Sequence, residues 1–161
     1  MTTTGIELSV PTDEPVIRYR RFVKAPPELM FAMWTEPEHL RNWWGPRELE
    51  LVLCEVDLRV GGSYRMVHRA PDGTEHAFRG EYLELDRPTK IVQTFVYEPW
   101  PDAVSVESVQ FEETGDGTLV RGESRHSSLE NRDRHVESGM ESGMAESYAR
   151  LDELVDPPRR D

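Results

Sequence analysis

"RNWWGPRELE" (Arg41–Glu50) is the stretch where the chain changes period, and the change decides the fold. Before it, apolar residues recur at helical spacing. After it they alternate as in strands. Trp43 and Trp44, two of the four tryptophans, run directly into Gly45-Pro46, a pair that ends a helix. Neighbours on a helix point about 100° apart, so both tryptophans can hardly face inward. Trp44 is read as a cavity wall and Trp43 as a structural anchor.

Working upstream, "PPELMFAMWTEPEHLRNWW" carries two short helices. Pro26 and Pro27 suit the start of the first, Glu28 its first turn, and Leu29, Met30, Met33 and Trp34 its apolar face. Pro37 breaks it, and Glu38 to Trp44 form the second. "PVIRYRRFVKA" (15–25), rich in β-branched and aromatic residues, is a first strand. Residues 1–14 read as a flexible tail. Downstream, "LELVLCEVDL", "GSYRMVHR", "EHAFRGEYLELD", "KIVQTFVYE", "AVSVESVQFEE" and "LVRGESRH" read as six strands. The turns "APDGT" and "TGDGT" mark hairpins, and no βαβ alternation occurs, so an antiparallel sheet is predicted. From about 130 to 155, Val136, Met140, Met144, Tyr148, Leu151 and Val155 make one apolar stripe on a long helix. Gly139 and Gly143 lie within it, each costing about 1 kcal/mol against alanine. They allow close backbone approach, the commoner reason, or leave volume for a ligand. Pro157-Pro158 stops the helix, leaving 157–161 as a C-terminal tail and 15–156 as one domain.

The order strand, two short helices, six strands, long helix is an α+β arrangement. A curved sheet wraps the long helix, the short helices plug one end, and a cavity follows because one helix cannot fill the concavity. The matching text is "RRFVKAPPELMFAMWTEPEHLRNWWGP", "VDLRVGGSYRM", "DGTEHAFRGEYLELDRPTKIVQTF", "GDGTLV" and "GMESGMAESYARLDELV". With these elements the chain resembles the START/Bet v 1-like (SRPBCC) helix-grip superfamily. More narrowly it is similar to the bacterial branch related to the C-terminal domain of the heat-shock protein 90 ATPase activator. The resemblance implies a helix-grip fold over about residues 15–155. It leaves function open, because the superfamily includes lipid carriers, polyketide cyclases, oxygenase domains and stress proteins.

Composition narrows the partners. The 161 residues carry 19 basic and 31 acidic side chains, a formal charge of −12, which disfavours nucleic acid and anionic membranes. No apolar run approaches the length of a membrane helix and no secretion signal is read, so a cytoplasmic protein is expected. Cys54 is the one cysteine, in an alternating apolar run, and is read as a buried hydrophobe. Arg18, Arg20 and Arg21 are expected to pair with acidic neighbours.

Strand parity puts Tyr64, Met66 and His68 on one face. His76, Phe78, Gly80 and Tyr82 continue it, followed by Gln93, Phe95 and Tyr97, and by Val120, Gly122, Ser124 and His126. The predicted ligand wall is Trp44, Met66, Phe78, Phe95, Tyr97, Met140 and Met144, with His68 and His126 as polar contacts. His68, His76 and His126 lack metal-ligand spacing, so no metal is predicted, and no cofactor either. Ser124 has no strained G-x-S-x-G elbow, which argues against a nucleophile. The leading expectation is non-enzymatic binding of a small apolar or aromatic molecule. A cyclase-, hydratase- or hydrolase-like enzyme using His68 or His126 is the alternative, followed by a chaperone-linked interaction module. The sequence also allows a homodimer.

Overall fold

Proline punctuates the first half of the chain as its sequence predicts. The computed structural model describes residues 5–156, so the predicted tail at 157–161 and residues 1–4 lie outside the described residues. Pro27 opens α1 (Pro27–Thr35) and Pro37 opens α2 (Pro37–Trp43), in first turns where no N–H is needed. Glu36 between them is extended, with φ −96° and ψ 125°. Before the helices lie β1 (Glu7–Ser9) and β2 (Val16–Val23). After them come β3 (Glu50–Val56), β4 (Ser63–Arg69), β5 (Glu75–Asp86), β6 (Lys90–Tyr97), β7 (Ser105–Thr114) and β8 (Gly117–Arg125). Two helices close the chain, α3 (Leu129–Glu137) and α4 (Met140–Val155).

The eight strands form one antiparallel sheet in the order β1-β2-β8-β7-β6-β5-β4-β3. Successive hairpins lay down β3 to β8, and β2 then pairs with β8. The short helices and α4 grip one face, which makes this a helix-grip α+β fold. The inward set is the one parity predicts: Met66 sits opposite Phe78, Phe78 opposite Tyr97, and Gly122 opposite Tyr19. Glycine is needed at 80 and 122 because a Cβ would overlap the rings of Tyr64 and Tyr19 on the adjacent strands.

Two expectations change. Residues 7–9 are strand β1 rather than tail, with Ile6 buried beside them, so the sheet has eight strands and not seven. The helix expected to run unbroken from about 130 is interrupted. Ser128 caps α3 by accepting from the Asn131 N–H, Ser138 ends it, and Gly139 turns the chain at φ +91° before α4. A left-handed residue cannot sit inside an α-helix, so the stripe continues across a break. Tyr148 and Leu151 are its fully buried members.

Charge pairing tacks the helices to the sheet. Arg18 pairs with Glu14 and Glu123, and Arg20 with Glu7. Arg21 makes a two-pronged contact with Asp152 of α4, at 2.9 and 2.7 Å. Arg132 on α3 is buried, and its Nη1 donates to the carbonyls of Pro11, Glu14 and Val16 at 2.7–3.0 Å. Lysine is shorter and carries a single nitrogen, so it cannot make these contacts together with the one from Nε to Asp133 Oδ1 at 2.8 Å. Arg132→Lys is therefore expected to lower the unfolding free energy by about 2 kcal/mol in urea titration, with the fold retained. An unchanged midpoint would show that the guanidinium is not needed there.

Candidate functional site

Between the sheet and α4 the side chains leave a cavity of about 700 Å³, the size of a small-molecule site. Its wall includes all nine residues singled out from the sequence: Trp44, Met66, His68, Phe78, Phe95, Tyr97, His126, Met140 and Met144. Exposed lining residues, among them Trp100, Arg134 and Ser138, mark its mouth beside the α3–α4 junction.

The loop after α2 builds one wall. Trp43 is buried and its indole N–H donates to the Met33 carbonyl at 2.9 Å, the anchor expected of it, although part of its surface also borders the cavity. Trp44, half-buried, stacks on His68 at 4.8 Å and meets Phe78 edge-on at 5.4 Å. Phe78 stacks in turn on Phe95 at 5.3 Å. Gly45 makes this arrangement fit, with φ at +94° and the His68 ring in the space a Cβ would take. Its N–H donates to Ser147 Oγ at 2.8 Å and its carbonyl accepts from Arg150 at 2.9 Å, which clamps the loop to α4.

His68 presents little of itself to the cavity, being only 2% exposed. Its Nε2 lies 3.0 Å from the Trp44 carbonyl and must carry the proton, because a carbonyl only accepts. Burial lowers its pKa, which the Trp44 carbonyl partly opposes. The ring thus holds the loop. His76 Nδ1 meets the Tyr97 hydroxyl at 2.9 Å.

The polar centre lies on β7 and β8. Glu107 Oε1 accepts from Ser124 Oγ at 3.0 Å and Ser105 Oγ at 3.1 Å, and Ser124 Oγ is 2.8 Å from His126 Nε2. Burial pushes the Glu107 carboxyl up to about 7, against the two serine hydroxyls. The surface it retains faces the cavity. Burial, with the charges of His135 and Arg132, lowers His126 to about 4. His135 of α3, 5.0 Å from the His126 ring, is lowered by burial too. Both imidazoles are neutral near pH 7. Where Glu107 is ionised, its carboxylate accepts the Ser124 proton, and Ser124 accepts from the His126 N–H. The serine lies between acid and imidazole rather than beside a histidine oriented by the acid, so this is not a nucleophile triad. It can hold or relay a proton.

The sequence reading found Ser124 and His126 but passed over Glu107, Ser105 and His135. In "SVESVQF" the apolar residues change parity between Val106 and Val109, so alternation alone does not tell which face Glu107 takes. The register does: Glu107 stands opposite the inward-facing Gln93 and Ser124. The Tyr148 hydroxyl, also on the cavity wall, has no hydrogen-bond partner of ordinary geometry, and burial raises its pKa. Gly143 shows which of its two sequence readings holds. A Cβ there would meet nothing within 4 Å, so this glycine leaves volume rather than admitting a close neighbour.

For metal ligands, the one grouping found among the described residues is Glu36, Glu38 and His39, at the α1–α2 turn and away from the cavity wall. No helix of the described residues is long and apolar enough to cross a membrane.

A family model described as "Activator of Hsp90 ATPase homolog 1-like protein" matches residues 24–156. Among solved structures, a protein from Rhodobacter sphaeroides superposes with a TM-score of 0.86 at 23% identity, covering 92% of this chain and 97% of that one. A protein from Chromobacterium violaceum matches at 28% identity and TM-score 0.77, covering 89% of this chain and 99% of its own. CalU16 from Micromonospora echinospora is similar at 24% identity and TM-score 0.63, over 94% and 87% of the two chains. No curated protein matches the chain.

Proposed function

We propose, from the premise that the chain belongs to the Activator of Hsp90 ATPase homolog 1-like family, that it binds a small molecule with an aromatic or apolar body in the cavity beneath α4. The observation that carries this reading is the composition of the wall. Aromatic rings and three methionines surround about 700 Å³, and Glu107, a carboxyl whose pKa burial raises to about 7, lies on its floor. Apolar walls supply affinity and a few placed polar groups supply orientation. Methionines suit such a wall because their unbranched chains adapt to varied shapes. The Glu107–Ser124–His126 chain meets the polar end of the ligand, and Trp44 and Phe78 meet its flat faces.

Gly143 gives the test. Leucine there projects into open space, and in a helix interior it is favoured over glycine by somewhat under 1 kcal/mol, so Gly143→Leu should fold at least as well. Wild-type protein is expected to bind the neutral probe N-phenyl-1-naphthylamine saturably, and Gly143→Leu to lose that binding with an unchanged or raised melting temperature. Absence of saturable binding by the wild type, or equal binding by the variant, would refute the cavity reading.

A second reading, an enzyme using the same cavity, is favoured by one observation: Glu107, with a pKa near 7 and a hydrogen-bonded path to His126, suits proton transfer. Recovery of a bound natural ligand chemically unchanged after prolonged incubation would count against it.

A further inference from the structure

We infer that the ligand of this cavity carries a cationic nitrogen, an ammonium group on an aromatic or apolar body, and that Glu107 is its counter-ion. This rests on the binding reading above and names the class of molecule bound.

Among the described residues no cation is paired with Glu107, and its contacts are the hydroxyls of Ser105 and Ser124. Both reach the same oxygen, Oε1. Oε2 has no hydrogen-bond partner among the described residues and is not among their buried unsatisfied atoms, which leaves it open to the cavity that the residue lines. A carboxylate taken from water without a cation is strongly disfavoured, and a cation delivered to Oε2 removes that penalty.

The groups around it do not compete for the role. On β8 and α3 the imidazoles of His126 and His135 are neutral near pH 7. From β6, β4 and β2 come Gln93, Tyr64 and Tyr19, and from α4 comes Tyr148, all uncharged because burial raises the three phenols. Arg132 donates to three backbone carbonyls, and Arg134 lies over the Trp100 ring at the mouth, 3.6 Å from Glu130. The rest of the wall suits an ammonium, since the faces of Trp44, Phe78, Phe95 and Tyr97 attract cations. The formal charge of −12 favours the approach of a cation over an anion.

Three probes sharing one ring system isolate the charge: 2-(2-naphthyl)ethylamine, 2-(2-naphthyl)ethanol and 2-naphthylacetate. At about pH 8 the amine is protonated and Glu107 ionised, so the amine should bind at least about tenfold more tightly than the alcohol, and the acetate most weakly. The preference should fall as pH drops through about 7, following Glu107. It should vanish in Glu107→Gln. In Ser124→Ala, which removes one hydroxyl from the carboxylate, its midpoint should move to higher pH. Equal or tighter binding of the alcohol, tightest binding of the acetate, or an amine preference surviving in Glu107→Gln would each overturn the inference while leaving the cavity reading intact. If none of the three binds saturably, the cavity reading fails and the inference falls with it.

Discussion

Gly45→Ala is expected to lower the unfolding free energy by about 4 kcal/mol, from about 1–2 for placing an L-residue in the left-handed half of backbone space and about 1–3 for overpacking. Gly45 sits at φ +94°, and a Cβ there would overlap the His68 ring, lying 2.6 Å from Nε2. The ring has little room to retreat. It is stacked on Trp44, bonded to the Trp44 carbonyl and buried. The backbone is equally constrained, because Ser147 and Arg150 tie the N–H and the carbonyl of Gly45 to α4. The Trp-Trp-Gly-Pro segment thus folds as one unit: Trp43 anchors it inward, Gly45 lets the chain pass over His68, and Trp44 becomes the wall. A urea titration followed by tryptophan fluorescence should show the loss together with a shifted native emission. A variant within about 1 kcal/mol of wild type would show that the loop is more pliable than this packing implies.

That segment also shows why much of the fold was legible. Prolines at 27 and 37 and the glycine at 45 punctuate the helices through backbone geometry that any tertiary context must respect. Strand parity did the same for the inner faces of β4, β5, β6 and β8. The α3–α4 break was not legible, because Gly139 and Gly143 look alike four residues apart. One takes a left-handed turn and the other lies in the helix against open space, and only the packing separates them. β1 is three residues long and takes its order from pairing with β2, so no local pattern announces it. Glu107 was hidden for a further reason. A charged residue in a strand usually marks the solvent face, and here it marks the cavity.

The burial that hides Glu107 makes it a measurable liability, which gives the second large expected effect. Its pKa rises from an ordinary 4.5 to about 7 on folding, so between those values the native protein holds a proton that the unfolded chain has lost. Stability therefore falls as pH rises through this window and stays reduced above it. At about 1.4 kcal/mol per pH unit the penalty is about 3 kcal/mol. Glutamine keeps the shape and the acceptor for Ser105 and Ser124 but never ionises. Glu107→Gln is accordingly expected to match wild type at about pH 4 and to exceed its unfolding free energy by about 3 kcal/mol at about pH 8. The difference between the two proteins must be read, not either curve alone. His126, lowered from 6.5 to about 4, acts with the opposite sign: its contribution is complete above about 6.5 and is lost as pH falls toward 4, which flattens the wild-type profile where the two windows overlap. In Glu107→Gln that compensation disappears, and the histidine slope should stand alone. Equal stabilities at about pH 8, or a less stable glutamine variant there, would mean that the carboxylate already has a charge partner in the folded protein. A stabilised variant that also loses preference for the naphthyl amine would show the unpaired carboxylate to be a cost to folding that serves recognition.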